Sequence, residues 1–455
     1  MNLQALQRIY FLGIGGIGMS ALARYFHQRG LQVSGYDKSS TPLTRQLTAE
    51  GIDVHYDTDL HQLPDQVDMV IFTPAVPSDH PGFDHFRKLG VPFHKRAEVL
   101  GMISQHARCI AVAGTHGKTT TSTIMAHVLR KAGVDCSAFL GGISGNYGTN
   151  YLLGHDDWMV VEADEYDRSF LHLHPTVLII NALDPDHLDI YRDEEDMRNT
   201  YYQLIRQVKP GGIVLLKEGL EIPDAVLSEI RGECYVFGQG STDIRLSDIH
   251  QSDEHLVFDL ETPQGSFPHI EFTLPGRHNA MNAAASFAAG LLIGLEASRI
   301  REGLSSFLGV RRRFDIHVNT DTAVYVDDYA HHPVELAGLI QAMRSRFPGQ
   351  EITGIFQPHL FSRTRDFADE FARVLDQFDI PLITEIYPAR EAPIPGVNSQ
   401  MLLDRMTNPR RQLLPKADLL DYVIANKPGV LVTAGAGDID QYISDIISIL
   451  NPSRT

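Results

Sequence analysis

Residues 109–133 read CIAVAGTHGKTTTSTIMAHVLRKAG, and the order of residue types in that stretch decides the class of fold. An apolar run, 109–113, predicts a strand. Gly114, Thr115, His116 and Gly117 follow as a turn, and Lys118, Thr119 and Thr120 open a helix. Ile124, Met125, Val128 and Leu129 share one face of that helix, and Gly133 ends it. Strand, glycine turn and helix together form a phosphate cradle. Glycines let backbone N–H groups turn toward phosphate oxygens, and the helix N-terminus adds positive potential. Lys118 then reaches the outer phosphates, and the Thr119 hydroxyl offers an oxygen to Mg²⁺. A strict Walker pattern needs glycine five positions before Gly117, where Val112 stands, so the loop is a variant. An ordinary strand–helix turn with a surface lysine is the plain alternative.

Outward from this stretch the same grammar repeats. Apolar runs at 9–12, 69–72, 177–180, 352–356 and 430–432 alternate with turns and helical patterns, which predicts an α/β protein with parallel sheets. Residues 244–272 alternate apolar and polar, which predicts a smaller antiparallel sheet. At 455 residues the chain exceeds one ordinary core. The punctuation suggests three domains, 1–106, 107–315 and 316–455. Asp plus Glu number 57 against 39 Lys plus Arg, and a net charge of −18 disfavours nucleic acid or an anionic membrane as partner. Cys109, Cys136 and Cys234 are far apart, so neither a disulfide framework nor a zinc site is expected, and a cytoplasmic location fits. No basic–apolar leader and no long apolar stretch is present, so no membrane insertion is expected.

Gly13, Gly15 and Gly18 form GxGxxG after the run 9–12, and Asp37 closes a second apolar run. With Gly16 and Ile17 they make a second candidate phosphate cradle. A dinucleotide or a sugar nucleotide satisfies it equally, Asp37 serving a ribose hydroxyl or the loop itself. Farther on, Glu162 ends the run 159–161, where a carboxylate beyond a phosphate loop is placed to hold Mg²⁺. His187 lies in DPDHLD. Mg²⁺ prefers oxygen, so His187 is either a metal ligand or a hydrogen-bonding histidine.

GIGGIGMS (13–20), GTHGKTTT (114–121), EADEYDRSFLHLHP (162–175), DPDHLDIY (184–191), LPGRHNAMNAAA (274–285), GVRRRFD (309–315), VDDYAHHPVE (326–335) and FQPHLFSRTRD (356–366) occur in this order. The whole set resembles the Mur ligases, over nearly the full chain, and most resembles those members that use L-alanine. The resemblance implies three domains: a Rossmann-like domain for UDP, a central ATPase domain, and a Rossmann-like domain for the amino acid. It implies ATP, two Mg²⁺ ions, UDP-N-acetylmuramic acid and L-alanine as cofactors and partners, in a monomer or weak homodimer. It assigns catalytic roles to Lys118, Glu162, His187, Arg313 and His331, with Thr119, Glu162 and His187 at the metal. Asn279 and Asn282 match the adenine contacts, an amide being able to donate to and accept from the base edge; capping of a helix 280–292 is their alternative role. Asp328 matches a ribose and hinge contact, and His331, Arg363 and Arg365 match the amino-acid site. Leu360 stands where many relatives have arginine. Tyr202 stands where several siblings carry a modified lysine.

The implied chemistry is activation of a lactyl carboxylate by ATP as an acyl phosphate, followed by attack of the free amine. Lys118, Arg313 and Mg²⁺ offset charge on the transferred phosphoryl, and His331 or water takes the amine proton. Three other functions compete: a ligase that attaches a ready-made tripeptide to the same nucleotide, an NAD-dependent oxidoreductase, and a nucleotide-binding regulator without chemistry.

Overall fold

The six apolar runs singled out above all become parallel strands with mostly or fully buried residues. In the computed structural model, which describes residues 6–59, 63–64, 66–184, 191–240, 242–252, 255–389 and 391–451, the chain divides into two compact units. One is Met1–Ser247 with Asp259–Ile270 and Met281–Leu308. The other is Asp248–Phe258 with Glu271–Ala280 and Gly309–Thr455.

The first unit holds a five-stranded sheet in the order Asp53–His55, Gln32–Tyr36, Arg8–Leu12, Met69–Phe72, Phe93–Lys95, parallel throughout. The strand order reverses beside Arg8–Leu12, which is where open α/β sheets leave a crevice for ligands. The loop GIGGIG leaves the C-terminal end of that strand and enters the helix Ile17–Gln28.

A longer sheet is centred on Arg108–Ala113, the strand before the phosphate loop. Val177–Ile180 and Trp158–Glu162 flank it in parallel. Ile213–Lys217 and Glu233–Gly238 continue one side, and Ser137–Phe139 and Tyr151–Leu152 the other. The strands Ile244–Gln251, Leu256–Thr262 and Gly265–Phe272 extend the order to ten. The smaller sheet expected over 244–272 thus joins the central one, through Phe237 paired with Ile244. The five-stranded sheet and the central one share a continuous apolar cluster running from Ile9 through Ala111 and Leu178 to Val226. Burial in common explains why these two segments form one compact unit.

The second unit has a six-stranded sheet, ordered Asp315–Asn319, Val324–Asp328, Val430–Ala434, Ile352–Phe356, Ile380–Ile383, Gln412–Leu413. The first pair is antiparallel and the rest parallel. Apolar clusters cover both faces, one around Val326, Phe356 and Val432, the other around Tyr325, Ile355 and Leu431. One helix differs in extent from expectation, and one had not been expected. The helix expected over 280–292 starts at Arg277, which puts Asn279 and Asn282 inside it and not at a cap. The segment after Ile352–Phe356 is the short helix Phe361–Asp366, so Arg363 and Arg365 are helical residues. Among the described residues no helix is long and apolar enough to cross a membrane.

Candidate active site

The first glycine loop is held by its neighbours. Gly13 and Ile14 donate their N–H groups to Tyr36 O at 2.8 and 3.0 Å, and Gly15 donates to Asp37 Oδ2 at 2.7 Å. Asp37 therefore fastens the loop. A Cβ on Gly15 would lie 2.5 Å from Thr44 Cγ2 and 2.8 Å from Asp37 Oδ2, and one on Gly18 would lie 2.7 Å from Arg96 Nη1. Gly16 is the N-cap of Ile17–Gln28 and supplies no side-chain cap, so the first turn directs its N–H groups outward. Arg96, a residue without a local signature of its own, adds a cation beside this turn.

Residues 114–117 form the turn between the strand Arg108–Ala113 and the helix Lys118–Lys131. Gly114 (φ +124°) and Gly117 (φ +79°) adopt backbone that other residues resist. A Cβ on Gly117 would lie 2.8 Å from Asn282 Oδ1 and 2.9 Å from Asn181 Nδ2. Asn282 thus stands against the loop. Asn279 donates to Pro275 O at 2.8 Å from the first turn of the same helix. Thr119 and Thr120 are buried at the start of the helix Lys118–Lys131. Thr115 Oγ1 accepts the N–H of Asp184 at 3.1 Å, and His116 lies 3.6 Å from the Asp184 carboxylate.

Lys118 folds back over the loop. Its ammonium donates to Gly114 O at 2.7 Å and to Glu165 at 2.8 Å. Burial pulls the Lys118 pKa down, and the carboxylates of Glu165, Asp164 and Glu162 more than offset this, leaving it raised. Three carboxylates thus surround the loop lysine. Glu162, the last residue of Trp158–Glu162, accepts from Gly141 N at 3.0 Å. Thr119 and these carboxylates offer hard oxygen, the ligand type Mg²⁺ prefers, and Asn181 Oδ1 is buried nearby; among the described residues no group of three or more His, Cys, Asp or Glu is placed to hold a metal ion. His187 lies outside the described residues. Glu165 and Asn181 are the site residues that sequence reasoning had passed over. Each follows the end of a buried strand beside the loop strand, and that position was their only signal.

In the second unit, Arg312 is bound into the fold. Its guanidinium reaches Asp327 at 3.0 Å, Gly435 O at 2.6 Å and Asp440 at 3.3 Å. Arg313 lies over the Tyr329 ring at 5.0 Å. Asp328 accepts from Phe314 N at 2.6 Å and from Ala330 N at 2.7 Å, so its carboxylate fastens the segment that leads into the sheet. Burial pushes the pKa of Asp328 up to about 6 against the pull of Arg313, and burial likewise pushes Asp327 up to about 6 against Arg312.

His331 Nδ1 lies 2.9 Å from Tyr329 O and 3.2 Å from Glu335. A carbonyl accepts only, so Nδ1 carries the proton and Nε2 is the basic nitrogen. The His331 and His359 rings are 5.8 Å apart. Arg363 is buried, 8% exposed, whereas Arg365 is half-exposed and bound to Asp366 at 2.7 Å. Of the two arginines, Arg363 is the one set into the protein. Leu360 is buried as well.

The chain is similar to known proteins over nearly its whole length. Residues 8–108 match the Mur ligase family catalytic domain, 112–290 the Mur ligase middle domain, and 312–437 the Mur ligase glutamate ligase domain. The chain is 46% identical to the UDP-N-acetylmuramate–L-alanine ligase of Porphyromonas gingivalis, over 96% of this chain and 98% of that one. It is 44% identical to the enzyme of the same name from Cytophaga hutchinsonii, over 98% and 97%. Among solved structures, the UDP-N-acetylmuramate–alanine ligase of Thermotoga maritima superposes with a TM-score of 0.82 at 30% identity, covering 98% of this chain and 99% of that one. A murein peptide ligase from Psychrobacter arcticus shares the fold, with a TM-score of 0.71 at 21% identity over 98% of each chain. With three consecutive domain matches and near-full-length relatives above 40% identity, the chain belongs to the Mur ligase family.

Proposed function

We propose that this protein joins L-alanine to the lactyl carboxylate of UDP-N-acetylmuramic acid in peptidoglycan precursor synthesis, with ATP converted to ADP and phosphate. The observation that carries the proposal is the pairing of a Lys118 phosphate loop, ringed by carboxylates, with near-full-length similarity to ligases named for this reaction. The working segments are 1–106 for the UDP-sugar, 107–315 for ATP and 316–455 for the amino acid.

The GIGGIG turn, with Gly13, Gly15, Gly16, Ile17 and Gly18, takes the diphosphate of the UDP-sugar on outward N–H groups. Asp37 acts through the loop. Gly114 to Thr120 take the ATP phosphates, and Asn279 and Asn282 the adenine. Thr119, Glu162 and His187 would hold Mg²⁺, which would supply positive charge against the phosphates. When ATP enters, its phosphates compete with Glu165 for Lys118. Lys118 and Arg313 stabilise the phosphoryl as it passes to the lactyl oxygen. Asp328 sets the hinge segment beside Arg313. His331 Nε2 takes the proton from the alanine ammonium, so that the amine attacks the acyl carbon and phosphate leaves. Arg363 holds the alanine carboxylate through two parallel hydrogen bonds; Arg365, bound to Asp366, is a weaker candidate. The protein acts in the cytoplasm as a monomer or weak homodimer.

Phosphate release from ATP tests this, with UDP-N-acetylmuramic acid and one amine at a time. L-alanine is expected to give the highest kcat/KM. Glycine and L-serine follow within about 10–200-fold, since one methyl or hydroxyl discriminates weakly. Preference for the tripeptide L-alanyl-γ-D-glutamyl-meso-diaminopimelate over L-alanine would refute the amino-acid assignment and leave the family membership intact.

A further inference from the structure

The helix that carries Arg363 has a poor start. Its N-cap is Leu360, at φ +69° and ψ 135°, backbone that favours glycine, and its side chain has no atom with which to cap. The helix is one and a half turns long, too short to hold its own direction.

A separate segment supplies the missing hold. Glu391 accepts from the backbone N–H of Ser362 at 3.0 Å through Oε2, and its Oε1 accepts from the Ser362 hydroxyl. Both carboxylate oxygens thus converge on the first turn. The same segment is fastened along its length. Leu360 donates its N–H to Tyr387 O at 3.0 Å, and Tyr387 donates to Pro358 O at 2.8 Å. His359 and Tyr387 form a parallel bridge with rings stacked at 5.8 Å and 17°. Glu391 is itself set by a turn in which its N–H donates to Pro388 O at 2.9 Å.

We propose that Glu391 is a positioning residue for the amino-acid subsite. Its carboxylate fixes the first turn of Phe361–Asp366 and so aims the buried Arg363 guanidinium at the alanine carboxylate. This rests on Arg363 being the carboxylate anchor. Two parallel hydrogen bonds tolerate little misdirection, so loosening the turn weakens alanine binding before it affects any other substrate. Glu391 is remote in sequence from the phosphate loop and from the glycine turn of the UDP-sugar, so a role confined to Arg363 predicts an effect confined to L-alanine. A glutamine at 391 can still accept from Ser362 N, and its amide can donate to the Ser362 hydroxyl, so it preserves the geometry without the charge.

Steady-state kinetics of Glu391→Ala, Glu391→Gln, Ser362→Ala and Arg363→Ala, varying L-alanine, ATP and UDP-N-acetylmuramic acid separately, tests the proposal. Glu391→Ala is expected to raise KM for L-alanine about tenfold, the scale of a lost charge-assisted hydrogen bond. Its kcat at saturating alanine and its KM for the other two substrates stay near wild type. Glu391→Gln is expected to restore most of the loss, and Ser362→Ala to fall between. If Glu391→Ala proves too unstable to assay, the Ser362→Ala and Glu391→Gln pair decides by the same criterion. The proposal is overturned if these variants lower kcat and shift all three KM values together, or leave the alanine KM unchanged while Arg363→Ala raises it. An Arg363→Ala enzyme with normal alanine KM overturns the anchor assignment first, and this proposal with it.

Discussion

In the proposed reaction Lys118 must give up the carboxylate that holds it. Its ion pair with Glu165 is 2.8 Å long and almost fully buried, and breaking such a pair without a replacement partner is costly. Phosphate is that replacement. Lys118→Ala is therefore expected to lower kcat about a hundred- to a thousandfold, the range in which removal of one transition-state donor falls. Binding of the UDP-sugar should persist; calorimetric titration with UDP-N-acetylmuramic acid checks this, and near-normal turnover would refute the phosphate-loop assignment. Glu162→Ala is expected to shift the Mg²⁺ concentration for half-maximal rate upward about tenfold or more. A magnesium titration that superposes on wild type would return Glu162 to its contact with Gly141.

The residues visible in the sequence were those with a local signature. Lys118 follows glycine, and Glu162 ends an apolar run. Glu165 lies 47 positions from Lys118 and Glu391 lies 29 from Ser362, so neither pairing leaves a mark on its own neighbourhood. Asp37 is a different case. Its spacing after GxGxxG left a ribose contact and a loop contact open, and the 2.7 Å bond from Gly15 N is a loop contact.

At the level of elements, the helix Lys118–Lys131 joins chemistry to packing. Its outer face presents the phosphate loop, and its buried face places His127 between Tyr147 (2.9 Å from Nδ1) and Ser306 (3.1 Å from Nε2). Burial, helped by Lys131, pulls the His127 pKa from 6.5 down to about 4. The unfolded chain therefore binds a proton at pH values where the folded one does not. The stability that neutral His127 preserves is complete above pH 6.5 and is lost as pH falls toward 4. His127→Gln keeps hydrogen-bonding capacity without the titration. Its melting temperature should fall less than that of wild type between pH 6.5 and 4, and parallel curves would contradict the linkage.

The glycine turns are elements of the same kind. Gly15→Val must place Cβ 2.5 Å from Thr44 Cγ2 and against the Asp37 carboxylate. Loss of UDP-sugar affinity by about tenfold or more is expected, because backbone approach to the diphosphate needs glycine. Unchanged affinity in a titration would separate the loop from the nucleotide. The strands of these turns were legible because parallel strands buried on both faces are apolar runs with few exceptions. The helix Phe361–Asp366 was not legible, since it starts from an uncapped Leu360 at positive φ and depends on a distant glutamate.

Over the whole molecule, the α/β class with parallel sheets was foreseeable from the alternation of runs and turns, and the joining of the strands over 244–272 to the central sheet was not. The first two sheets share one apolar cluster from Ile9 to Val226, and sharing of that kind is decided by tertiary packing, which periodicity does not encode. The acidic balance of −18 is also a whole-molecule property. It coexists with local cations: Lys118 and Arg96 at helix starts, Arg313 just before the strand Asp315–Asn319, and Arg363 in the short helix Phe361–Asp366. Net charge thus bears on solubility and non-specific partners, while the site is set by a few buried charges.

The central claim is that the protein makes an amide by passing the lactyl carboxylate through an acyl phosphate, with L-alanine as the amine. Its most direct test uses UDP-N-acetylmuramic acid labelled with ¹⁸O in the lactyl carboxylate, with ATP, Mg²⁺ and L-alanine, and mass spectrometry of both products. The account predicts a nucleotide product heavier by one alanyl residue, and released phosphate carrying one ¹⁸O for each amide formed. Unlabelled phosphate, or a nucleotide that gains no alanyl residue while ATP is consumed, would contradict it.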